Sequence, residues 1–343
     1  MTPIRHQLAL NENFSLHLPG VQEAIRDSLK DINLTLDALS TGLSTALAEH
    51  LDVPVRHVFV SPGSGALLLQ LLNAYAGNGA EVVHAWPSFD MYPLLIRNAG
   101  GIPVPVPLKE FSHDLDAMAA AVTPQTRVVV LCNPNNPTGT MLGEAELKEF
   151  LDRLPSDVLV LVDEAYLDFA DPDSIANAID LHRGDPRVCA VRSFSKSYGL
   201  LGMRVGYLVA DPAVTSALAP TSPFLRVSTP AQAAALAALK AETHMRRQCA
   251  EVGRERDRVH RALTELGYRV PGSEANFHWL PLGEDNGRFV EFCADNGVSV
   301  REIAGAGVRV TVGTPEANDA VIELARRFAG GAPPGAAHPS ERQ

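Results

Sequence analysis

Arg187-Val188-Cys189-Ala190-Val191-Arg192-Ser193-Phe194-Ser195-Lys196-Ser197-Tyr198-Gly199-Leu200-Leu201-Gly202-Met203-Arg204-Val205-Gly206 is a β-rich apolar run that closes on hydroxyls and a lysine. An arginine follows eight residues after Lys196, and small glycines lie between them. A lysine crowded by hydroxyls suits a Schiff-base amine, and the arginine with its serines suits a neighbouring phosphate pocket. Two further stretches end in the same way. Asn133-Pro134-Asn135-Asn136-Pro137-Thr138-Gly139 follows the run 127–132, and Asp163-Glu164-Ala165-Tyr166 closes the run that begins at Val158.

Between residues 57 and 210, short β-branched runs alternate with helical patterns, at 57–60, 81–85, 102–106, 127–132, 158–163, 187–192 and 204–209. This alternation predicts an α/β fold with a mostly parallel, twisted sheet sandwiched by helices. Ligands of such sheets sit outside the carboxyl ends of the strands, so the polar residues closing several runs converge on one crevice. A Schiff-base lysine next to a phosphate pocket in that crevice predicts pyridoxal 5′-phosphate as cofactor. Residues 66–75 read as a buried helix starting at Gly63-Ser64-Gly65, where a phosphate can rest on backbone amides. That glycine-serine-glycine lacks the Gly-Lys-Ser/Thr ending of a nucleotide-binding loop, so ATP is not expected. After the prolines at 220 and 223, Ser228-Thr229-Pro230 predicts a cap and first-turn proline before a long Ala- and Arg-rich helical pattern. The expected organisation is an N-terminal arm over 1–35, a large cofactor-binding domain over 36–228, a smaller α/β domain over 229–330, and a disordered tail over 331–343.

Asp163 ends a run too apolar to leave a carboxylate without a partner, and a pyridinium nitrogen is a natural one. Ser64, Gly65, Ser193, Ser195 and Arg204 offer donors to a phosphate, the arginine through its planar fork. Tyr166 and Asn136 are further candidates to contact the cofactor. Lys196 is then the amine that binds the cofactor and moves a proton at the substrate α-carbon.

The order Asn-Pro-x-Asn-Pro-Thr-Gly, Asp-x-x-Tyr, Ser-x-Ser-Lys, Arg resembles the fold-type I aminotransferases. The stretches Asn11-Glu12-Asn13 and Arg309-Val310-Thr311-Val312-Gly313-Thr314 make it most similar to their histidinol-phosphate aminotransferase branch, from about residue 8 to about residue 328. The resemblance implies that Arg309 binds the substrate α-carboxylate, that Arg301 contacts a distal anionic group, and that Asn13 belongs to the substrate side. It also implies that Tyr166 and Asn136 hydrogen-bond the cofactor's phenolic oxygen, that Phe89 stacks on the pyridine, where the family usually has tyrosine, and that the active unit is a homodimer.

The family's Asn-x-Tyr-Pro-Asp segment, whose tyrosine reaches into the neighbouring subunit, reads here as Asn33-Leu34-Thr35-Leu36-Asp37. Loss of that tyrosine and proline argues against histidinol phosphate and for a specialised biosynthetic relative acting on another amino acid, amine or phosphate ester, with an oxo-acid or aldehyde as the exchange partner. A decarboxylase or oxidase of the same fold stays open, because the bond broken at the α-carbon depends on pocket geometry. A non-catalytic cofactor-binding regulatory module is the remaining alternative.

The 343 residues are 46% hydrophobic, enough for two domains with substantial cores. A formal charge of −11 disfavours attraction to nucleic acid or anionic membrane, leaving small-molecule amino donors and acceptors as partners. Cys132, Cys189, Cys249 and Cys293 are too scattered for a metal site or redox pair, which predicts a reduced, cytoplasmic protein without bound metal. No apolar segment reaches membrane-spanning length.

Overall fold

Valine, leucine and isoleucine runs set the strands. The structure, a computed structural model, describes residues 3–14, 18–34, 37–223, 225–303 and 305–330. The strands are β1 (His6–Gln7), β2 (Val58–Ser61), β3 (Glu81–Trp86), β4 (Ile102–Pro107), β5 (Thr126–Cys132), β6 (Leu159–Asp163), β7 (Val188–Ser193), β8 (Gly206–Val209), β9 (Phe277–Leu280), β10 (Val298–Ser299), β11 (Arg301–Ile303) and β12 (Gly307–Thr311). Seven of them form one sheet in the order β2-β8-β7-β6-β5-β3-β4. Only β8 runs antiparallel to its neighbours in that sheet.

Successive side chains of a strand face opposite sides, and here both sides are covered. Val129, Leu131, Val160 and Val162 enter one core. Val128, Val130, Leu159 and Leu161 enter the other, with Leu67, Leu68, Leu71 and Leu72 of the helix Ser64–Tyr75. Because β5, β6 and β7 are parallel, Cys132, Asp163 and Ser193 finish on the same edge, with Cys132 in register with Asp163. The sheet therefore delivers the expected convergence of strand ends.

Toward the C terminus, β11, β12 and β9 form an antiparallel sheet in which Arg301 lies directly opposite Arg309. Leu263, Leu280, Phe289, Val310 and Val321 pack beneath it, and Leu8 joins the same core. The chain's beginning is held there too, by parallel pairing of β1 with β10 and by the Thr311 amide donating to the Leu8 carbonyl at 2.9 Å.

Two helical expectations change. The long pattern after residue 228 is two helices, Thr229–Lys240 and Glu242–Glu265, separated at Ala241. Ser228 occupies the N-cap position and Pro230 the first turn, but the serine side chain makes no capping hydrogen bond. Thr35, Leu36 and the segment 331–343 lie outside the described residues.

Candidate active site

At the carboxyl edge of β5, β6 and β7, a cavity of about 400 Å³ is lined by Ser64, Gly65, Phe89, Asn136, Asp163, Tyr166, Ser193, Ser195, Lys196, Arg204, Arg301 and Arg309. These residues span the chain from position 64 to 309, and strand order brings them together. Asn13 is the exception. Its amide donates to the backbone carbonyls of Lys196 and Ser197, at 3.3 and 3.2 Å, so it supports the lysine loop from outside the lining. Asn11 lines the cavity instead and donates to the Tyr166 hydroxyl at 2.8 Å.

Lys196 sits just past β7, and its Nζ donates to the carbonyls of Leu10 and Asn11, both at 3.2 Å. Burial is the first cause that lowers its pKa, to about 8, and the positive charges of Arg309 and Arg204 push the same way. An amine in this state is available as a nucleophile near neutral pH.

Asp163, buried at the end of β6, accepts from the Tyr92 hydroxyl at 3.0 Å and from the Ala165 amide at 3.2 Å. Burial raises its pKa to about 6, against the lowering effect of those two donors. Tyr92 was not evident as a site residue, because it opens the helix Tyr92–Asn98 and reads as core. Its ring meets Phe89 edge-on with centroids 5.4 Å apart. Cys132, also on the lining, is pushed up to about 12 by burial and is no thiolate.

A cradle of hydrogen-bond donors is built where β7 turns out of the sheet. The helix Ser64–Tyr75 begins there, and the first amides of a helix have no intrahelical acceptor. Arg204 donates to the Ser195 hydroxyl at 3.4 Å and to the Leu201 carbonyl at 2.9 Å. A Cβ on Gly63 would collide with the Arg204 guanidinium, and one on Gly206 would lie 2.5 Å from the Ser64 nitrogen. The two glycines thus let the helix start, β8 and the arginine close around one point.

Across the cavity, Arg309 is buried, donating to the Asn136 side-chain oxygen at 2.6 Å and to the Ala9 carbonyl at 2.8 Å. Its Nε is buried without a hydrogen-bond partner, and Arg309 forms no ion pair among the described residues. Burial lowers its pKa from the ordinary arginine value. Arg301 differs, being paired with Asp90 at 2.5 Å.

A depressed lysine, a buried carboxylate, a helix-start cradle with an arginine, and a second arginine lacking its counter-ion form a donor set that fits pyridoxal phosphate together with an amino acid. Comparison with known proteins agrees. The family profile described as aminotransferase class I and II matches residues 5–324. Relatives include an aromatic amino acid aminotransferase of Thermobifida fusca, 47% identical over 94% of this chain and 90% of that protein. Another, of the same description, from Streptomyces avermitilis is 45% identical over 95% of this chain and 91% of that protein. Among solved structures, histidinol-phosphate aminotransferase from Sinorhizobium meliloti, in complex with pyridoxal 5′-phosphate, superposes with a TM-score of 0.89 at 27% identity, covering 95% and 91% of the two chains. On this evidence the chain belongs to the class I and II aminotransferases, fold-type I enzymes that work with pyridoxal phosphate.

Proposed function

We propose that the enzyme exchanges amino groups between aromatic amino acids and a dicarboxylic oxo-acid, as a homodimer in the cytoplasm. The observation that carries the substrate reading is Arg309, an uncompensated cation facing a cavity whose wall includes Leu10, Phe89, Met91 and Leu201. A carboxylate satisfies the arginine, and a large apolar side chain is the group such a wall accepts. The names of the relatives point in the same direction.

In this reading Asp163 holds the pyridine nitrogen, Tyr166 and Asn136 hold the phenolic oxygen, Phe89 covers the ring, and Ser64, Gly65, Ser193, Ser195 and Arg204 hold the phosphate. The bound cofactor supplies an electron sink for the pair released when a bond at the substrate α-carbon breaks. Arg309 orients the α-carboxylate, which sets the α-hydrogen toward Lys196. Lys196 Nζ takes that proton, and its depressed pKa suits both receiving and returning it near neutral pH. Asn13 holds the loop that carries Lys196, and Arg301 meets the distal carboxylate of the dicarboxylic partner.

The dimer reading is supported by exposed Leu29, Ile32, Leu34 and Leu39. Exposed Leu225 is brought alongside by the Arg226 amide, which donates to the Ala38 carbonyl at 3.2 Å. The cytoplasmic reading is supported by four unpaired, buried cysteines. Purified holoenzyme incubated with 2-oxoglutarate and, in turn, tyrosine, phenylalanine and histidinol phosphate tests the substrate reading by mass detection of products. Aromatic oxo-acids together with glutamate are the expected products. Release of carbon dioxide or peroxide, or turnover fastest with histidinol phosphate, overturns it.

A further inference from the structure

Arg301 and Arg309 are cross-strand neighbours on β11 and β12, and like charges placed opposite one another repel. Among the described residues only one of them is paired with a carboxylate. Asp90 reaches Arg301 at 2.5 Å, while Arg309, over the Phe277 ring, has the Asn136 amide oxygen and the Ala9 carbonyl as hydrogen-bond partners and no carboxylate among the described residues. Asp90 is carried between Phe89 and Met91, so the carboxylate that masks Arg301 rides on the same segment as two apolar wall residues.

A two-substrate exchange in one cavity demands opposite things of its far end. An aromatic side chain needs an apolar wall with no unpaired charge behind it, since a desolvated cation without a partner is costly. A dicarboxylate needs a cation. The Asp90–Arg301 pair is partly exposed, with side chains 26% and 43% accessible, so it is held weakly enough to exchange partners.

Resting on the aromatic reading above, we propose that Asp90 is a specificity-determining residue, an exchangeable counter-ion of Arg301. It stays paired when the bound side chain is aromatic and gives Arg301 up when the substrate carries a second carboxylate. Arg309 keeps the first carboxylate in both cases. Asp90 thereby lowers affinity for dicarboxylates, because they must displace it, and preserves affinity for aromatic substrates.

The test uses two inert probes titrated into holoenzyme and followed by cofactor absorbance: 3-phenylpropionate, an aromatic monocarboxylate, and glutarate, a dicarboxylate. In Asp90→Asn, glutarate is expected to bind about fivefold more tightly and 3-phenylpropionate no better than to the wild type, in keeping with the modest strength of a partly exposed ion pair. In Arg301→Gln, glutarate is expected to weaken about tenfold or more while 3-phenylpropionate stays within about twofold, as expected for loss of a charge-assisted bond. An unchanged ratio of the two affinities in Asp90→Asn, or equal losses for both probes in Arg301→Gln, overturns the role of Asp90 and leaves the aromatic reading standing. Failure of 3-phenylpropionate to bind the wild type overturns both.

Discussion

Only a neutral amine attacks a carbonyl, and the neutral fraction of Lys196 grows as pH rises through about 8 instead of through the ordinary lysine value of 10.5. Stopped-flow mixing of apoprotein with pyridoxal phosphate should therefore give a rate that rises with pH around a midpoint near 8. A midpoint near 10 would remove the influence of burial and of the two arginines. Borohydride should fix the cofactor to Lys196, and Lys196→Ala should abolish turnover. Labelling of Lys148 or Lys240 in peptide maps would contradict that assignment. Lys196 and Asp163 were legible in the sequence because each stands at or just past the end of an apolar strand run that gives a charged side chain no structural reason to be there, whereas Arg309, in the middle of β12, was legible only through the family resemblance. Tyr92 and Asp90 were not, since a buried tyrosine and an ion-paired aspartate look the same before their partners are known. Asn13 was expected on the substrate side, and the cavity lining takes Asn11. Asn11 has φ of 52°, in the left-handed region that asparagine tolerates, and the turned backbone brings Asn11 rather than Asn13 into the cavity.

Among the elements, the phosphate cradle depends on how closely β8 approaches the start of the helix Ser64–Tyr75. In Gly206→Ala the new methyl meets the Ser64 nitrogen at 2.5 Å and the Gly63 carbonyl carbon at 2.7 Å, both backbone atoms that cannot turn aside. Losing one charge-assisted bond costs roughly 1.5–3 kcal/mol, so pyridoxal phosphate should bind about ten- to a hundredfold more weakly, measured by dialysis and absorbance. Pyridoxal without phosphate should lose far less, and equal losses would mean that the cradle is not the phosphate site. The seven strands of the large sheet were readable to within two residues because most of them are buried on both faces and leave near-continuous apolar runs, whereas β1 and β9 to β12 were not read. The break at Ala241 was not, as neither glycine nor proline marks it and alanine favours the helix on both sides.

For the whole molecule, burial of Asp163 is a cost that the apoprotein bears. Its folded pKa of about 6 lies above the ordinary aspartate value of 3.8, so the unfolded chain ionises first as pH rises. The destabilisation is complete above about pH 6 and is relieved as pH falls toward 4. Apo Asp163→Asn should be more stable than apo wild type at pH 7, by on the order of 3 kcal/mol or a few degrees in Tm, with the gap closing toward pH 4. A pH-independent gap would rule out this linkage. Ile32→Glu with Leu39→Glu should yield a monomer in sedimentation, and an intact dimer would place the contact elsewhere. The parallel sheet was visible from its alternation, whereas Leu29, Ile32, Leu34 and Leu39, scattered among polar residues, do not read as a surface patch until their exposure is known.

Lys196 rests on the carbonyls of Leu10 and Asn11, and the Asn11 amide donates to the Thr311 hydroxyl across 300 positions of sequence at 3.0 Å. Both ends of the folded region must be in place before the lysine pocket closes. Free energy from cofactor binding accrues only to a state that binds it. A nascent or clipped chain lacking the last strand keeps the large-sheet residues that would hold the cofactor but loses the Thr311 hydroxyl that braces Asn11 beneath Lys196, so it gains less from the vitamin. Loading thus favours finished chains over fragments, by the difference in how tightly each holds the cofactor.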